Sequence, residues 1–503
     1  MKKKYAKIFL FIFGILLIAG AIPRAIEVLN QNYLFGFDQG NFYESVRKIV
    51  VEHKLTLVGT EVGGIGGFFQ GPGWYYLLAI PFIFTGGDPY GGIVLMFIVS
   101  MAALSLSYLL FRKVFGNITA LSIAFFVAIS PTIIHQARSI WPPYPVTLLT
   151  VIFLYCFYKF LSGKQKYLPL AVFVIGLMSH FEIATSGTML IQLVLFSPLL
   201  FYPKKIVQPR IIIISILAFI ASQTLFLVFE LRHGFIGIKG IYHLFTLGGA
   251  KNTYEFAISN HYDVFRSTVV SVLSGGVTLN IIIIVMGLVG SFLYLHDKKN
   301  SYANKLFLIY LLTSVPLLFI AFLSTKIGMW SWWIYEIPVF LCFVYGIVIG
   351  YFLKSSIFVK KILAVGVLVF LSIIFTNYTI SQYRHDYNDY GGDAKIKGKK
   401  EVIDFIYHDA NGKKFGLLIF SPPVYTYPYD YLLNWYAQKK YGYKPDKSMD
   451  GTFYLLIQVD PYKPWSYNGW LETVVKSGKI EKTVKLPNGF IVQKRTGNLQ
   501  NKQ

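Results

Sequence analysis

Again and again this chain enters a run of apolar side chains long enough, or nearly long enough, to cross a lipid bilayer. Such runs admit few structures. Hydrocarbon offers the backbone no hydrogen bonds, and a helix supplies its own. The runs occupy 8–22, 90–111, 118–134, 146–160, 168–184, 189–202, 211–229, 277–295, 306–323, 334–353 and 362–375. They predict a mainly α membrane protein with about eleven transmembrane helices. Several are short of a full crossing, and flanking aromatics such as Tyr155, Phe157 and Tyr158 extend them.

The charged residues set the orientation. The first run follows Lys2, Lys3, Lys4 and Lys7, and is read as a retained helix rather than a cleaved leader. With the N-terminus inside, five linkers face the cytoplasm and carry Arg112, Lys113, Lys164, Lys166, Lys204, Lys205, Arg210, Lys298, Lys299, Lys305, Lys354, Lys360 and Lys361. Asp297 is the acidic residue among them, and the short outer turns offer Lys326 alone. This is the positive-inside pattern, and an odd number of spans sends the C-terminus out. Trp330, Trp332 and Trp333 fall at an outer span end, as an aromatic belt does. The net charge of +23 therefore speaks for topology and anionic lipid rather than nucleic acid. No nucleic-acid-binding motif accompanies it. Cys156 and Cys342 both lie inside apolar runs, which argues against a disulfide framework or a metal centre.

Two regions do not span. The first outer loop, 28–88, holds Phe42, Val46, Ile49 and Val50 on one helical face, with Glu44, Arg47, Lys48 and Glu52 opposite. That spacing predicts an amphipathic helix on the outer membrane surface. A glycine-rich stretch, 59–73, and a short apolar run, 74–84, follow. The tail, 381–503, reads as a small soluble α/β domain outside the cytoplasm. Helices are expected over 401–408 and 429–438, strands over 415–420 and 453–459, and a closing hairpin from 480–486 and 490–494 across Pro487-Asn488-Gly489. It carries no nucleophile–base pair or metal cluster and is read as an accessory or acceptor-recognition domain. Residues 1–380 are then the membrane-embedded catalytic domain.

Ionisable residues at membrane level are costly, so their placement is informative. The threading gathers Asp38, Glu61, Arg138, His180, Glu182, Glu230, Arg232 and His233 at the outer face. Arginine and histidine suit a lipid-linked phosphate that must be stabilised as it leaves. A carboxylate suits removal of a proton from an attacking hydroxyl. Each residue also has a plainer reading. Asp38 fits a cap on a helix starting near Asn41, Glu61 a solvated loop residue, and Arg138 an interfacial anchor. His180 and Glu182 fit a satisfied buried pair, and Arg232-His233 the charged end of a span. The co-location carries the functional reading.

At these residues the sequence resembles a known family. Gly36-Phe37-Asp38-Gln39-Gly40 follows the first span, then come Gly71-Pro72-Gly73-Trp74-Tyr75-Tyr76-Leu77-Leu78, Arg112-Lys113-Val114-Phe115-Gly116, and Ser130-Pro131 through Arg138. Gly176-Leu177 to His180-Phe181 and Phe229-Glu230-Leu231-Arg232-His233-Gly234 complete the order. The pattern resembles the GT-C membrane glycosyltransferases, specifically the family 39 protein O-mannosyltransferases and the aminoarabinose transferases acting on lipid A. Gln39 stands where mannosyltransferase relatives commonly have glutamate.

The resemblance implies a GT-C-like fold with juxtamembrane helices in the first loop, in the plasma or inner membrane. It implies inverting transfer of a sugar from a polyprenyl-phosphate donor to a glycan, lipid or protein acceptor of the envelope, with Asp38 as general base. Glu61 is expected as a second acid. Arg138, Arg232 and His233 are expected to hold phosphate, and His180 and Glu182 to shape the sugar pocket. No metal ligand set and no obligatory cofactor is expected, with a divalent ion left open. The other classes weighed are a non-catalytic envelope scaffold and a lipid or glycan transporter. A transporter calls for ionisable groups deep in the spans and an internal repeat.

Overall fold

The computed structural model describes residues 2–62, 68–200, 207–246, 254–323, 328–422 and 425–497. Lys204, Lys205 and Lys326, used above for orientation, lie outside the described residues, as does 63–67 of the glycine-rich stretch. The chain folds as two compact units. One comprises 1–26, 56–77 and 95–384; the other 27–55, 78–94 and 385–503.

The first unit is helical. Six helices are long and apolar enough to cross a membrane: Lys7–Arg24, Tyr90–Phe115, Gly276–His296, Tyr302–Phe322, Glu336–Lys354 and Phe358–Tyr387. A seventh candidate is broken, Pro209–Ser222 and Thr224–Arg232 meeting at a 66° bend. Shorter apolar helices account for the remaining runs: Gly73–Thr85, Asn117–Ile129, Val146–Leu161, Tyr167–Met178 and Ile183–Pro198. The chain is a multi-pass membrane protein. About eleven spans were expected. Six, or seven with the bent pair, meet the length and composition of a crossing among the described residues.

Glu336–Lys354 runs through the middle of this unit and is the most buried of its long helices. Gly346 and Gly350, four residues apart, let it approach Asn117–Ile129 closely. A Cβ at Gly346 would stand 2.6 Å from Ile123 N, and one at Gly350 2.5 Å from Thr119 Oγ1. Small residues at this spacing are how helices gain contact in lipid, where the hydrophobic effect does not drive them together. Aromatic side chains fill the core beside it, with Phe111 edge-on to Phe343 at 4.7 Å and Phe157 tilted on Tyr310 at 4.5 Å.

The second unit joins the tail to the first outer loop. Its sheet has four strands, β1 (Gly416–Phe420), β2 (Gly451–Ile457), β3 (Lys479–Lys485) and β4 (Ile491–Gly497). Their order is β1-β2-β4-β3, with β1 parallel to β2 and the other pairs antiparallel. The hairpin expected across Pro487-Asn488-Gly489 forms, closed by Leu486 N–H donating to Phe490 O at 2.8 Å, with Gly489 at a φ of 90°. The last strand is inserted between β2 and β3. Helix Ile396–Ala410 packs in this unit, and Phe35 N–H and Ile396 N–H exchange hydrogen bonds with Ala394 O and Tyr33 O.

The amphipathic helix of the first loop is Phe37–Val50. Phe42, Tyr43 and Val46 are no more than 1% exposed. The apolar stripe expected to lie on the membrane surface is thus covered by protein. Tyr43 meets Tyr431 at 5.1 Å and Phe82 at 6.3 Å, while Arg47 on the polar face bridges Glu44 and Glu52.

Candidate functional site

Asp38 lies in the first turn of Phe37–Val50, one residue past its start. The helix begins earlier than Asn41, so Asp38 is not its cap. Gln39 takes that work: its Oε1 accepts the Gly36 N–H at 2.9 Å. A carboxylate in the first turn gains from the positive end of the helix dipole without being consumed as a cap. Asp38 is half-buried, and no hydrogen bond or ion pair from another described residue reaches its carboxylate. Burial pushes the carboxyl above its ordinary range. The turn is held from beneath by the tail. Phe37 packs on Tyr425 at 5.5 Å and Tyr427 at 5.2 Å, and Gly40 admits the backbone of Pro428.

The remaining residues singled out from sequence belong to the membrane unit. His180 and Glu182 fall in the break between helices Tyr167–Met178 and Ile183–Leu200. Gly73 N–H donates to His180 Nδ1 at 3.2 Å, and His180 Nε2 lies 2.7 Å from Ser222 O. Those partners require a neutral ring with its proton on Nε2. The imidazole therefore bridges the Gly71-Pro72-Gly73 turn to the end of Pro209–Ser222. Gly71 N–H donates to Ser179 O, which closes the same junction.

Glu182 is 1% exposed; one carboxylate oxygen accepts the Ala184 N–H at 3.2 Å. Glu336, fully buried at the start of Glu336–Lys354, is its electrostatic neighbour and accepts from Thr188 Oγ1 at 3.3 Å. Among the described residues, Oε2 of each has no hydrogen-bond partner. Tyr335 lies within electrostatic reach of Glu182, and its ring meets Tyr144 at 5.9 Å. Tyr144 O–H is 3.2 Å from Ser139 Oγ, next to Arg138. The structure thus draws the 138–144 loop, the 179–182 break and the start of Glu336–Lys354 into one buried polar cluster. Arg138 is 8% exposed and donates to Gln382 Oε1.

Glu230, Arg232 and His233 do not share one environment. Glu230 is fully buried and receives Gly237 N–H at 3.1 Å and Ile238 N–H at 3.2 Å, capping helix Ile236–Thr246. Arg232 and His233 are exposed, and His233 stacks on Phe229 at 4.2 Å with Nδ1 2.8 Å from Phe229 O. Glu61 is exposed and sits in an isolated bridge with Phe69. Among the described residues no group of three or more His, Cys, Asp or Glu is placed to hold a metal ion.

Among the described residues of the membrane unit, two buried charges escaped the sequence reading. Arg24 is fully buried and, among the described residues, donates to neutral groups: Gly20 O at 2.7 Å, Ala128 O at 2.8 Å, Val127 O at 2.9 Å and Ser100 Oγ at 3.0 Å. Val127 and Ala128 end helix Asn117–Ile129, so their carbonyls bring the negative end of its dipole to the guanidinium. Glu336 is the other. The signal in both cases was an ionisable residue at the edge of an apolar run.

The sequence matches no family model and no curated protein. Its fold does match solved structures. ArnT from Cupriavidus metallidurans bound to undecaprenyl phosphate aligns over 98% of both chains, with a TM-score of 0.59 at 8% identity. The same protein in the apo state aligns over 98% of both chains, with a TM-score of 0.60 at 9% identity. An Archaeoglobus fulgidus oligosaccharyltransferase, in complex with Zn and sulfate, covers 96% of this chain and 73% of its own at 13% identity, with a TM-score of 0.49. The likeness to the GT-C membrane glycosyltransferases thus holds at the level of the fold.

Proposed function

We propose that this chain is an integral membrane glycosyltransferase that moves a sugar from a polyprenyl-phosphate donor to an envelope acceptor outside the cytoplasm, with inversion. The fold shared with ArnT over nearly the whole chain supports the class. The observation that carries the mechanism is Asp38: a half-buried carboxylate in a helical first turn, unused by capping and pushed toward the working pH range. A base is most effective when its pKa approaches that range.

In this reading Asp38 takes the proton of an acceptor hydroxyl as its oxygen attacks the anomeric carbon. The bond from that carbon to the phosphate oxygen breaks on the opposite face, which inverts the centre and releases polyprenyl phosphate. Arg138, Arg232 and His233 hold the departing phosphate; a guanidinium does so through paired, charge-assisted hydrogen bonds. Glu61 serves as a second acid. His180 fixes the turn at Gly73, and the free oxygen of Glu182 accepts a donor-sugar hydroxyl that would otherwise lack a partner. Residues 1–380 carry this chemistry, and the tail 381–503 supports the Asp38 turn and faces the acceptor.

The test is transfer of labelled sugar from a panel of polyprenyl-phosphate donors into envelope fractions by the protein reconstituted in liposomes. Transfer with any donor establishes the class; its absence with all of them favours the scaffold.

A further inference from the structure

The tail contributes an aromatic surface to the turn that carries Asp38. Tyr425 is 58% exposed, and its ring lies parallel to Tyr427 within 5°, 5.6 Å between centroids. Tyr427 and Phe37 are half-buried beneath it, and Phe37 directly precedes Asp38. An exposed tyrosine backed by a parallel ring offers a flat apolar face with hydroxyls at its rim. A saccharide ring has the same mixture of C–H faces and a hydroxyl rim.

Charge narrows the ligand. The whole protein carries +23, yet neither 31–46 nor 415–438 contains a single lysine or arginine. The charged residues of these two stretches are Asp38, Glu44 and Asp430. Of these, Asp430 accepts from Thr426 Oγ1 at 2.7 Å and Glu44 is paired with Arg47 at 3.0 Å, which leaves Asp38. With no lysine or arginine in either stretch and the Asp38 carboxylate beside the rings, the shelf disfavours a phosphate or an anionic headgroup and favours an uncharged polyol.

We propose that Tyr425 and Tyr427 form a saccharide-binding shelf, on which a neutral sugar ring of the acceptor stacks while one of its hydroxyls is presented to Asp38. This names the acceptor as a neutral glycan and rests on the transfer reading for the word acceptor alone. Binding of a saccharide to the shelf stands apart from it.

The experiment uses the full chain in nanodiscs of zwitterionic lipid. Saturation-transfer NMR is recorded with methyl glucoside, galactoside and mannoside and with N-acetylglucosamine oligomers, in the presence and absence of inorganic phosphate. At least one saccharide is expected to bind, with affinity reduced tenfold or more in Tyr425→Ala and within about threefold of wild type in Tyr425→Phe, which keeps the ring. Tyr462→Ala, at a tail residue that is 89% exposed, is the control and is expected to bind as wild type. Phosphate is expected not to compete. Equal binding by wild type and Tyr425→Ala, no binding of any saccharide, or displacement by phosphate overturns the shelf. Saccharide binding without any sugar transfer would leave the shelf standing and remove the transferase reading.

Discussion

Gly40 of the juxtamembrane helix lies so close to Pro428 of the tail that a Cβ on Gly40 would stand 2.5 Å from Pro428 Cα. Backbone cannot yield as a flexible side chain can, so Gly40→Ala forces the helix and the tail apart. Overpacking of this kind costs about 1–3 kcal/mol. Thermal unfolding of the purified protein should show a lower midpoint for Gly40→Ala, whereas Gly14→Ala, with open space around its Cβ, should match wild type.

His180 is expected to matter for stability as well as for transfer. His180→Ala removes the acceptor for Gly73 N–H and the donor to Ser222 O. Each buried group left without a partner costs about 1–3 kcal/mol. The unfolding midpoint should fall by several degrees in the absence of any substrate. A midpoint unchanged from wild type, with only the donor KM raised, would assign His180 to substrate alone.

Asp38 links activity to stability with opposite signs. Its folded pKa lies above the unfolded value, so folding favours the protonated carboxyl. That contribution is full below the unfolded pKa and is lost as pH rises through the folded one. At neutral pH the ionised group is a net cost, and Asp38→Asn should unfold no earlier than wild type. Transfer by wild type should rise with pH through an apparent pKa above the usual carboxylate range.

Lys399 gives the tail its own pH signature. The side chain is 1% exposed, its Nζ donates to Asp393 O and lies 5.1 Å from the Tyr429 ring centre, and burial pulls its pKa from 10.5 to about 8. Between those values the unfolded chain binds more protons than the folded one, so stability rises with pH, by about 3 kcal/mol if the whole window is crossed. Unfolding followed from pH 7 to 10 should show this gain in wild type and its loss in Lys399→Met.

Periodicity made much of this architecture readable. The helix carrying Phe42, Val46 and Ile49 and the hairpin around Gly489 follow from local spacing and turn chemistry. What covers a helix face does not. Phe42 and Val46 fit a membrane surface as well as a protein neighbour, and only the fold shows that they are buried, with Tyr431 of the tail against Tyr43 of the same helix. Breaks inside apolar runs were hidden for a similar reason. The run 211–229 bends at Gln223, whose side chain donates to Gly176 O and accepts from Ser179 Oγ at the end of another helix. Pro131, which splits 118–134, was in plain view. Arg24 satisfies itself with carbonyls more than a hundred residues away, and no window of sequence contains that pairing.

The most direct test compares wild type with Asp38→Asn, at matched expression, for transfer of labelled sugar from a polyprenyl-phosphate donor that wild type uses. The account predicts transfer that falls at least a hundredfold in the variant, the order expected for loss of a general base, while its unfolding midpoint is maintained. Equal transfer by both proteins would contradict it and remove Asp38 from the chemistry.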